Sequence, residues 1–352
     1  MKILINTPCV DNPGGVANHF KGLRKYWSED VTYNYISGRY KISGQLLLPL
    51  DIVKFAFRLI FFKYDVVLLN PSLGKNAIYR DALFLRLASF FKVKKVVFFH
   101  GWSEEVAAQI SDNPKWFKKK FSRADCFLVL ASSFKEQMEE WGIEQPIKLT
   151  TTKVDDDLLL INEENSSAPP SDKVAPCLLF LARIEENKGI YVAIEAFNLL
   201  SKKYPNIKLK IAGCGGALES AKAFVLKEGI LNVEFLGQIS GEKLSNAFSS
   251  SDVYILPTWH GEGMPTSVLE AMAFGLPVIT RPVGGLNDFF VPNKMGSLIS
   301  SRNPNDFSDA IDNILVSSSK MNEICTFNKD YAKENFMASK VALNIEKLLG
   351  EA

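Results

Sequence analysis

"KKVVFFHGWSEEVAAQISDNPKWFKKKFSRADCFLVLAS", residues 94–132, begins and ends in short runs of Val, Phe and Leu, with a helical pattern over 104–110 between them. The apolar character of "KKVVFFH" and "CFLVLAS" is continuous rather than alternating. That marks strands buried on both faces, as in a parallel sheet with helices on each side. The same alternation runs outward from this stretch. "KILIN", "DVVLLN" and "IKLTT" read as further strands, and residues 15–28, 46–62, 76–92 and 133–141 as helices. The segment "NEENSSAPPSDKVAP", 162–176, is rich in Ser, Asn, acids and Pro and reads as a loop or linker. A second series follows it: "CLLFLARI", "KLKIAG", "VEFLG", "DVYILP", "LPVITRP" and a short "GSLIS". We therefore expect two doubly wound α/β domains, 1–165 and 166–325, facing a deep interdomain cleft. A C-terminal helical segment, 326–352, is expected to pack back on the first domain. Ligands in such folds bind beyond the C-terminal ends of the strands, so chemistry is sought in the polar residues there.

At 352 residues the chain is long enough for two domains, and its 23% charged and 47% hydrophobic residues are ordinary for a globular protein. A formal net charge of +2 gives no reason to expect nucleic acid as a partner. Cys9, Cys126, Cys177, Cys214 and Cys325 are scattered and odd in number, which suggests free thiols in a reducing, cytosolic compartment. "MKILINTPCV" starts directly on a strand pattern, without the apolar segment of a signal peptide. "LLLPLDIVKFAFRLIFF", 46–62, is interrupted by Pro49, Asp51, Lys54 and Arg58 and falls short of a spanning run.

Five strand ends carry unusual residues. Gly14 and Gly15 precede a helix in "TPCVDNPGGVANHF"; they could bring backbone close to an anion, or simply form a turn. This is no G-x-G-x-x-G, so a nicotinamide dehydrogenase is disfavoured. His100 closes a strand and is one of three histidines, with His19 and His260. Arg183 and Lys188 in "FLARIEENKG" could bracket a diphosphate, or form a solvated charged loop. Gly213, Gly215 and Gly216 in "IAGCGG" are explained by a tight turn without any ligand. The fifth end is "WHGEGMPTSVLEAMAFGLPVITRPVGG", 259–285. Pro265 suits a first helical turn, which would aim the N–H groups of Thr266, Ser267 and Val268 at a phosphate. Glu270 then lies among apolar residues, where a carboxylate needs hydrogen-bond donors such as vicinal hydroxyls, or a salt bridge.

"EGMPTSVLEAMAFGLPVI" resembles the E-x7-E signature of retaining glycosyltransferases of the GT-B fold, glycosyltransferase family 4, with Glu262 and Glu270 at its two acids. "LARIEENKG", "GCGG" and "RPVGGLNDF" are similar to further segments of that family, and Gly14-Gly15 and His100 fall where it places donor-phosphate and active-site groups. The resemblance implies metal-independent transfer of a sugar from a nucleotide sugar to an acceptor hydroxyl, with retention and with no cofactor beyond that co-substrate; a saccharide acceptor is expected, or a lipid-linked saccharide if the basic segment 114–123 meets a membrane. It implies that Arg183 and Lys188 neutralise the diphosphate, that Gly15 and the helix start near Ser267 meet phosphates, and that Glu270 takes the ribose hydroxyls. Glu262, with the backbone of Gly263 and Met264, would hold the donor sugar, and His100 would stabilise it. Two segments depart from the pattern, "TTTKVDDD" at 150–157 and Asp288 in place of the usual Glu, and no roles are carried over to them.

Asp155-x-Asp157 has the spacing of a metal-chelating DxD, but within a cluster of three acids it reads as a turn or helix start. "PKWFKKKFSR", 114–123, interleaves cations with aromatics. With the 46–62 segment it could lie on an anionic membrane as a peripheral contact, or it is a solvated helix face with its aromatics in the core. Two other functions share this fold, a nucleotide-sugar epimerase and a non-catalytic binding subunit. The presence of both glutamates with Arg183 and Lys188 speaks against the second.

Overall fold

A computed structural model describes residues 1–12, 14–36, 44–165 and 175–352. The chain divides into two compact units. Unit 1 comprises Met1–Lys153, Gly261–Met264 and Ala338–Ala352; unit 2 comprises Val154–His260 and Pro265–Met337.

Unit 1 holds a six-stranded sheet in the order β2-β1-β3-β4-β5-β6, parallel throughout. Its strands are β1 (Lys2–Pro8), β2 (Asp30–Ile36), β3 (Val66–Leu69), β4 (Lys94–Phe99), β5 (Cys126–Val129) and β6 (Ile147–Leu149). The helices are α1 (Gly15–Leu23), α2 (Gly44–Phe61), α3 (Lys75–Ala88), α4 (Glu104–Asp112), α5 (Pro114–Phe121) and α6 (Ser132–Glu140). The alternating faces of β4 explain the layering. Val96 and Phe98 pack with Ile3, Ile5 and Phe20 on one side, while Val97 and Phe99 pack with Phe117, Phe127 and Trp102 on the other. Each such fully buried side chain contributes about 1.5–3 kcal/mol.

Unit 2 holds the parallel order β12-β11-β10-β7-β8-β9. Its strands are β7 (Cys177–Leu181), β8 (Lys208–Ala212), β9 (Val233–Gly237), β10 (Val253–Leu256), β11 (Val278–Thr280) and β12 (Gly296–Leu298). Its helices are α7 (Asp156–Asn165), α8 (Ile190–Ser201), α9 (Leu218–Lys227), α10 (Glu242–Ser249), α11 (Thr266–Ala273), α12 (Leu286–Phe289), α13 (Pro304–Leu315) and α14 (Ser318–Asn335). The strand order reverses direction between β7 and β10 in unit 2 and between β1 and β3 in unit 1. Those reversals are where a doubly wound sheet opens a crevice at its strand ends.

Several elements differ from the expectation. The supposed linker 162–176 is helical through Asn165, and its remainder at 166–174 lies outside the described residues. α7 belongs to unit 2, where the Ser245 hydroxyl donates to the Leu158 carbonyl at 3.2 Å and the Val154 N–H donates to the Phe336 carbonyl at 2.7 Å. The division therefore falls at Lys153/Val154, ahead of the change in composition. The 326–352 segment is split: its first part completes α14 in unit 2, and α15 (Ala338–Gly350) lies in unit 1. There the Glu346 carboxylate accepts from the Ser28 and Glu29 N–H groups, both at 2.8 Å, and from the Ser28 hydroxyl at 2.6 Å. Three donors satisfy a buried acid. β2 is absent from the reading because "DVTYNYI" is an edge strand of alternating character, mostly half-exposed. None of the five cysteines forms a disulfide.

Candidate functional site

In unit 2 the turn after β7 and the loop after β10 are stitched together. The Asn187 carbonyl accepts from the N–H groups of Trp259 at 2.9 Å and His260 at 3.1 Å, and from the Thr258 hydroxyl at 3.3 Å. Lys188 ends a short 3-10 turn (Glu186–Lys188) and is buried, only 6% exposed. Gly189 follows with φ +82°, and a Cβ there would stand 2.4 Å from the Pro257 carbonyl oxygen. Glycine is thus required both by conformation and by backbone approach. Arg183, by contrast, is exposed, and its Nη2 lies 3.4 Å from His260 Nε2, whose other ring nitrogen is 3.1 Å from Asn187 Nδ2. Three groups able to carry positive charge, Arg183, Lys188 and His260, therefore gather on two adjoining loops at the β7/β10 reversal. The glycines of "IAGCGG" serve packing: a Cβ at Gly213 would meet the Ala182 carbonyl oxygen at 1.9 Å, and one at Gly215 that of Ile184 at 2.4 Å.

α11 starts at Thr266 behind Pro265, as the Gly-Met-Pro turn predicts. Ser267 Oγ shares a 2.7 Å hydrogen bond with the Tyr254 hydroxyl, which also donates to the Leu181 carbonyl at 2.9 Å. Val268 corrects the expectation of a third N–H aimed at a ligand. It is fully buried, and its N–H donates to the Pro265 carbonyl at 3.0 Å. Glu270 sits in the buried run Val268–Ala273, 8% exposed.

In unit 1 the acidic loop is seated on the end of β4. A Cβ at Gly263 would stand 2.2 Å from the His100 carbonyl oxygen, and one at Gly261 would stand 2.4 Å from that of Trp102. Only glycine fits at either position, and Glu262 lies between them, while Met264 packs against the core of the unit. His100 is ringed by Phe98, His19 and Phe20, with ring centroids at 3.7, 5.0 and 5.6 Å. Burial, and secondarily His19, holds its imidazole pKa well below 6.5, so the ring is neutral at physiological pH. His19 lies inside α1 and is itself buried, with Nδ1 3.3 Å from Thr152 Oγ1. Gly14, with φ +149°, precedes α1 next to Gly15, and a Cβ on either would meet open space. Conformation at Gly14, rather than crowding, demands the glycine.

A network that sequence reasoning missed supports His100. Its Nε2 lies 3.1 Å from Asn70 Oδ1; Asn70 Nδ2 donates to the carbonyls of Asn6 and Leu68, both at 3.2 Å, and Asn34 Nδ2 donates to Asn6 Oδ1 at 2.8 Å. The signal was present: "KILIN" and "DVVLLN" both end their apolar runs in Asn.

Of the remaining candidates, Asp155 Oδ1 accepts from the Asp157 N–H at 3.3 Å in the first turn of α7, a helix-start arrangement. Among the described residues no three His, Cys, Asp or Glu side chains come together as a metal-ligating group. An open groove lined by Tyr64, Asp65, Lys94 and Gly350 lies at the N-terminal ends of the unit-1 strands, away from His100, and contributes nothing to this site.

Residues 161–330 match the family of Glycosyl transferases group 1. The matched stretch carries Arg183, Lys188, Glu262 and Glu270. The chain is 31% identical over 143 residues to the D-inositol 3-phosphate glycosyltransferase of Paenarthrobacter aurescens, covering 39% of this chain and 35% of that protein. It spans between about a third and a half of the length of the first curated relatives it matches. Among solved structures it resembles sucrose-phosphate synthase from Thermosynechococcus elongatus, with a TM-score of 0.76 at 18% identity, over 99% of this chain and 98% of that one. It also resembles Anabaena HepE, solved with UDP and glucose, with a TM-score of 0.75 at 16% identity over 100% of both chains. At these identities the likeness establishes the fold, two Rossmann-like parallel-sheet domains with GT-B glycosyltransferases as structural neighbours.

Proposed function

We propose that the protein is a retaining, metal-independent glycosyltransferase that moves a sugar from a nucleotide sugar to a saccharide or lipid-linked acceptor in cell-surface polysaccharide or glycolipid assembly. The observation that carries this reading is the seating of Gly261–Met264 on His100 and Trp102, which puts the first acid of the family-like signature next to the strand-end histidine. Unit 2 supplies the nucleotide grip. Lys188 and Arg183 stabilise the negative charge that grows on the diphosphate as the glycosidic bond breaks, while in unit 1 the Gly15 backbone at the start of α1 is suited to an anion such as a donor phosphate. Thr266 and Ser267, in the first turn of α11, offer further phosphate contacts. Glu270 accepts from the ribose hydroxyls. In unit 1, Glu262 and the backbone of Gly263 and Met264 orient the sugar beside the neutral His100. UDP is the first base to test, since HepE was solved with UDP and glucose.

The test is an assay with UDP-glucose and a panel of saccharide and lipid-linked acceptors, followed by proton NMR of the product. Transfer with the anomeric configuration kept is expected, and Glu262→Ala should abolish it. Conversion of the nucleotide sugar to its epimer without any acceptor would instead make the protein an epimerase.

The lipid-linked acceptor is favoured by α2. Leu46, Leu50, Val53, Phe57 and Ile60 repeat at three- and four-residue spacing on its solvent side, each more than half exposed. Lys54, Arg58 and Lys63 flank this stripe, and the only acid on α2, Asp51, is buried. α3 packs against both α2 and α5, and α5 adds the exposed Lys115 and Lys119, with Arg123 just beyond it. The aromatics of α5 do not take part: Phe117 and Phe121 are core residues, and Trp116 stacks on Tyr79 at 6.1 Å. An apolar stripe among cations suits an anionic bilayer, whereas pairing with a second copy would oppose like charges. No helix among the described residues is long and apolar enough to cross a membrane, so the contact is peripheral. Flotation with phosphatidylglycerol vesicles should retain the protein. Phe57→Asp with Ile60→Asp should lower binding by at least about 10-fold, since each loses roughly 1.5–3 kcal/mol of burial. Equal flotation of the double variant would remove this surface from the account.

A further inference from the structure

We infer that Asn70 is a positioning residue that fixes His100 as the Nε2–H tautomer and leaves Nδ1 as a hydrogen-bond acceptor. The inference rests on the glycosyl-transfer reading only for its functional consequence. Its structural part stands on the amide of Asn70. Nδ2 donates to two backbone carbonyls, Asn6 on β1 and Leu68 on β3, each at 3.2 Å. Turning the amide over would place Oδ1 against both of those carbonyl oxygens, three acceptors with no proton among them. The amide is therefore locked with Oδ1 toward His100, and Asn70 is 2% exposed, so solvent does not relax the arrangement. An amide oxygen only accepts; the ring nitrogen 3.1 Å from it must carry the proton.

The rest of the pocket keeps the ring neutral. Phe98, Phe20 and His19 enclose it, and no carboxylate is hydrogen-bonded to it among the described residues. A neutral imidazole protonated at Nε2 has its lone pair on Nδ1. On the proposed reaction that lone pair would accept from a hydroxyl of the transferred sugar, so His100 orients the sugar rather than donating to it. Asn70 touches neither the sugar nor the nucleotide in this scheme and acts only through His100. Tautomer control through the far ring nitrogen is a common way for an outer residue to set what a histidine can do.

The experiment is a long-range proton–nitrogen correlation spectrum of the full chain labelled at histidine nitrogen, recorded at pH 7. Only His19, His100 and His260 contribute, and His100→Gln assigns the signal. The wild-type protein should show His100 protonated at Nε2 with a bare Nδ1. Asn70→Ala should give a tautomer mixture and lower kcat about 10-fold with the donor KM nearly unchanged. A wild-type His100 protonated at Nδ1, or an unchanged spectrum in Asn70→Ala, overturns the inference. Should Asn70→Ala fail to fold, the wild-type spectrum alone decides. A wild-type protein with the predicted tautomer but no sugar transfer would overturn the functional reading and leave the tautomer assignment standing.

Discussion

Lys188→Ala is expected to lower kcat for donor consumption by about 100- to 1000-fold, with a smaller change in donor KM. The size follows from where the side chain sits. Lys188 is 6% exposed on a turn held by the Lys188 N–H to the Glu185 carbonyl and by Gly189 wedged against Pro257. On the proposed reaction, a cation fixed in that way would not reorganise as charge develops on the leaving diphosphate, and poorly hydrated surroundings would strengthen its effect. Arg183 is exposed and reaches the same region on a flexible stem. Arg183→Ala should cost about 10-fold and act mainly on KM, because solvent screens its charge. Lys188→Arg should not restore the rate, since the larger planar guanidinium does not fit a buried ammonium site. Steady-state kinetics on the three variants, each checked for folding by circular dichroism, gives this ranking. Equal losses for both alanine variants would contradict it.

The second large effect is on stability in acid, through His19. Its ring is buried inside α1, and burial, with the Lys153 charge adding, lowers its pKa from 6.5 to about 3. Between those values the unfolded chain takes up a proton that the folded state refuses. Stability should therefore be unaffected above about pH 6.5 and should fall as the pH drops toward 3. Integrated over that window, the loss is about 3 kcal/mol by pH 4.5 and on the order of 5 kcal/mol in full. His19→Gln keeps a polar partner for Thr152 but removes the titration. Urea unfolding at pH 7, 5.5 and 4.5 should show the wild-type curve falling more steeply than that of the variant. Parallel curves would mean that His19 is not held neutral by the fold.

The two-domain α/β plan was legible because buried parallel strands write themselves as continuous apolar runs; "KKVVFFH", "CFLVLAS" and "DVYILP" all became central strands. β2 escaped for the same reason reversed, since an edge strand has no need to be apolar on both faces. The unit boundary was less visible. α7 packs against α10, where the Ser245 hydroxyl donates to the Leu158 carbonyl, and that packing leaves no mark in composition comparable to the Ser- and Pro-rich stretch that follows. At the candidate site, the glycines in the Glu262 loop could be seen but not their purpose, which is contact with the backbone of His100 and Trp102. The Val268 N–H was misjudged because Pro265 offers its carbonyl to it, a turn that sequence spacing alone does not specify. Asn70 was hidden among strand-end residues of similar type. Its importance comes from which carbonyls the neighbouring strands present to it.

A thermal-shift series with UDP, GDP, ADP and their glucose conjugates, run on the wild-type protein and on Lys188→Ala, tests the central claim most directly. One nucleoside diphosphate, UDP first among them, should raise the wild-type midpoint by on the order of 5 °C at about 100 times its Kd. Lys188→Ala should lose most of that shift. If no nucleotide moves the wild-type midpoint, or if Lys188→Ala responds as fully as the wild type, the nucleotide grip assigned to unit 2 is contradicted.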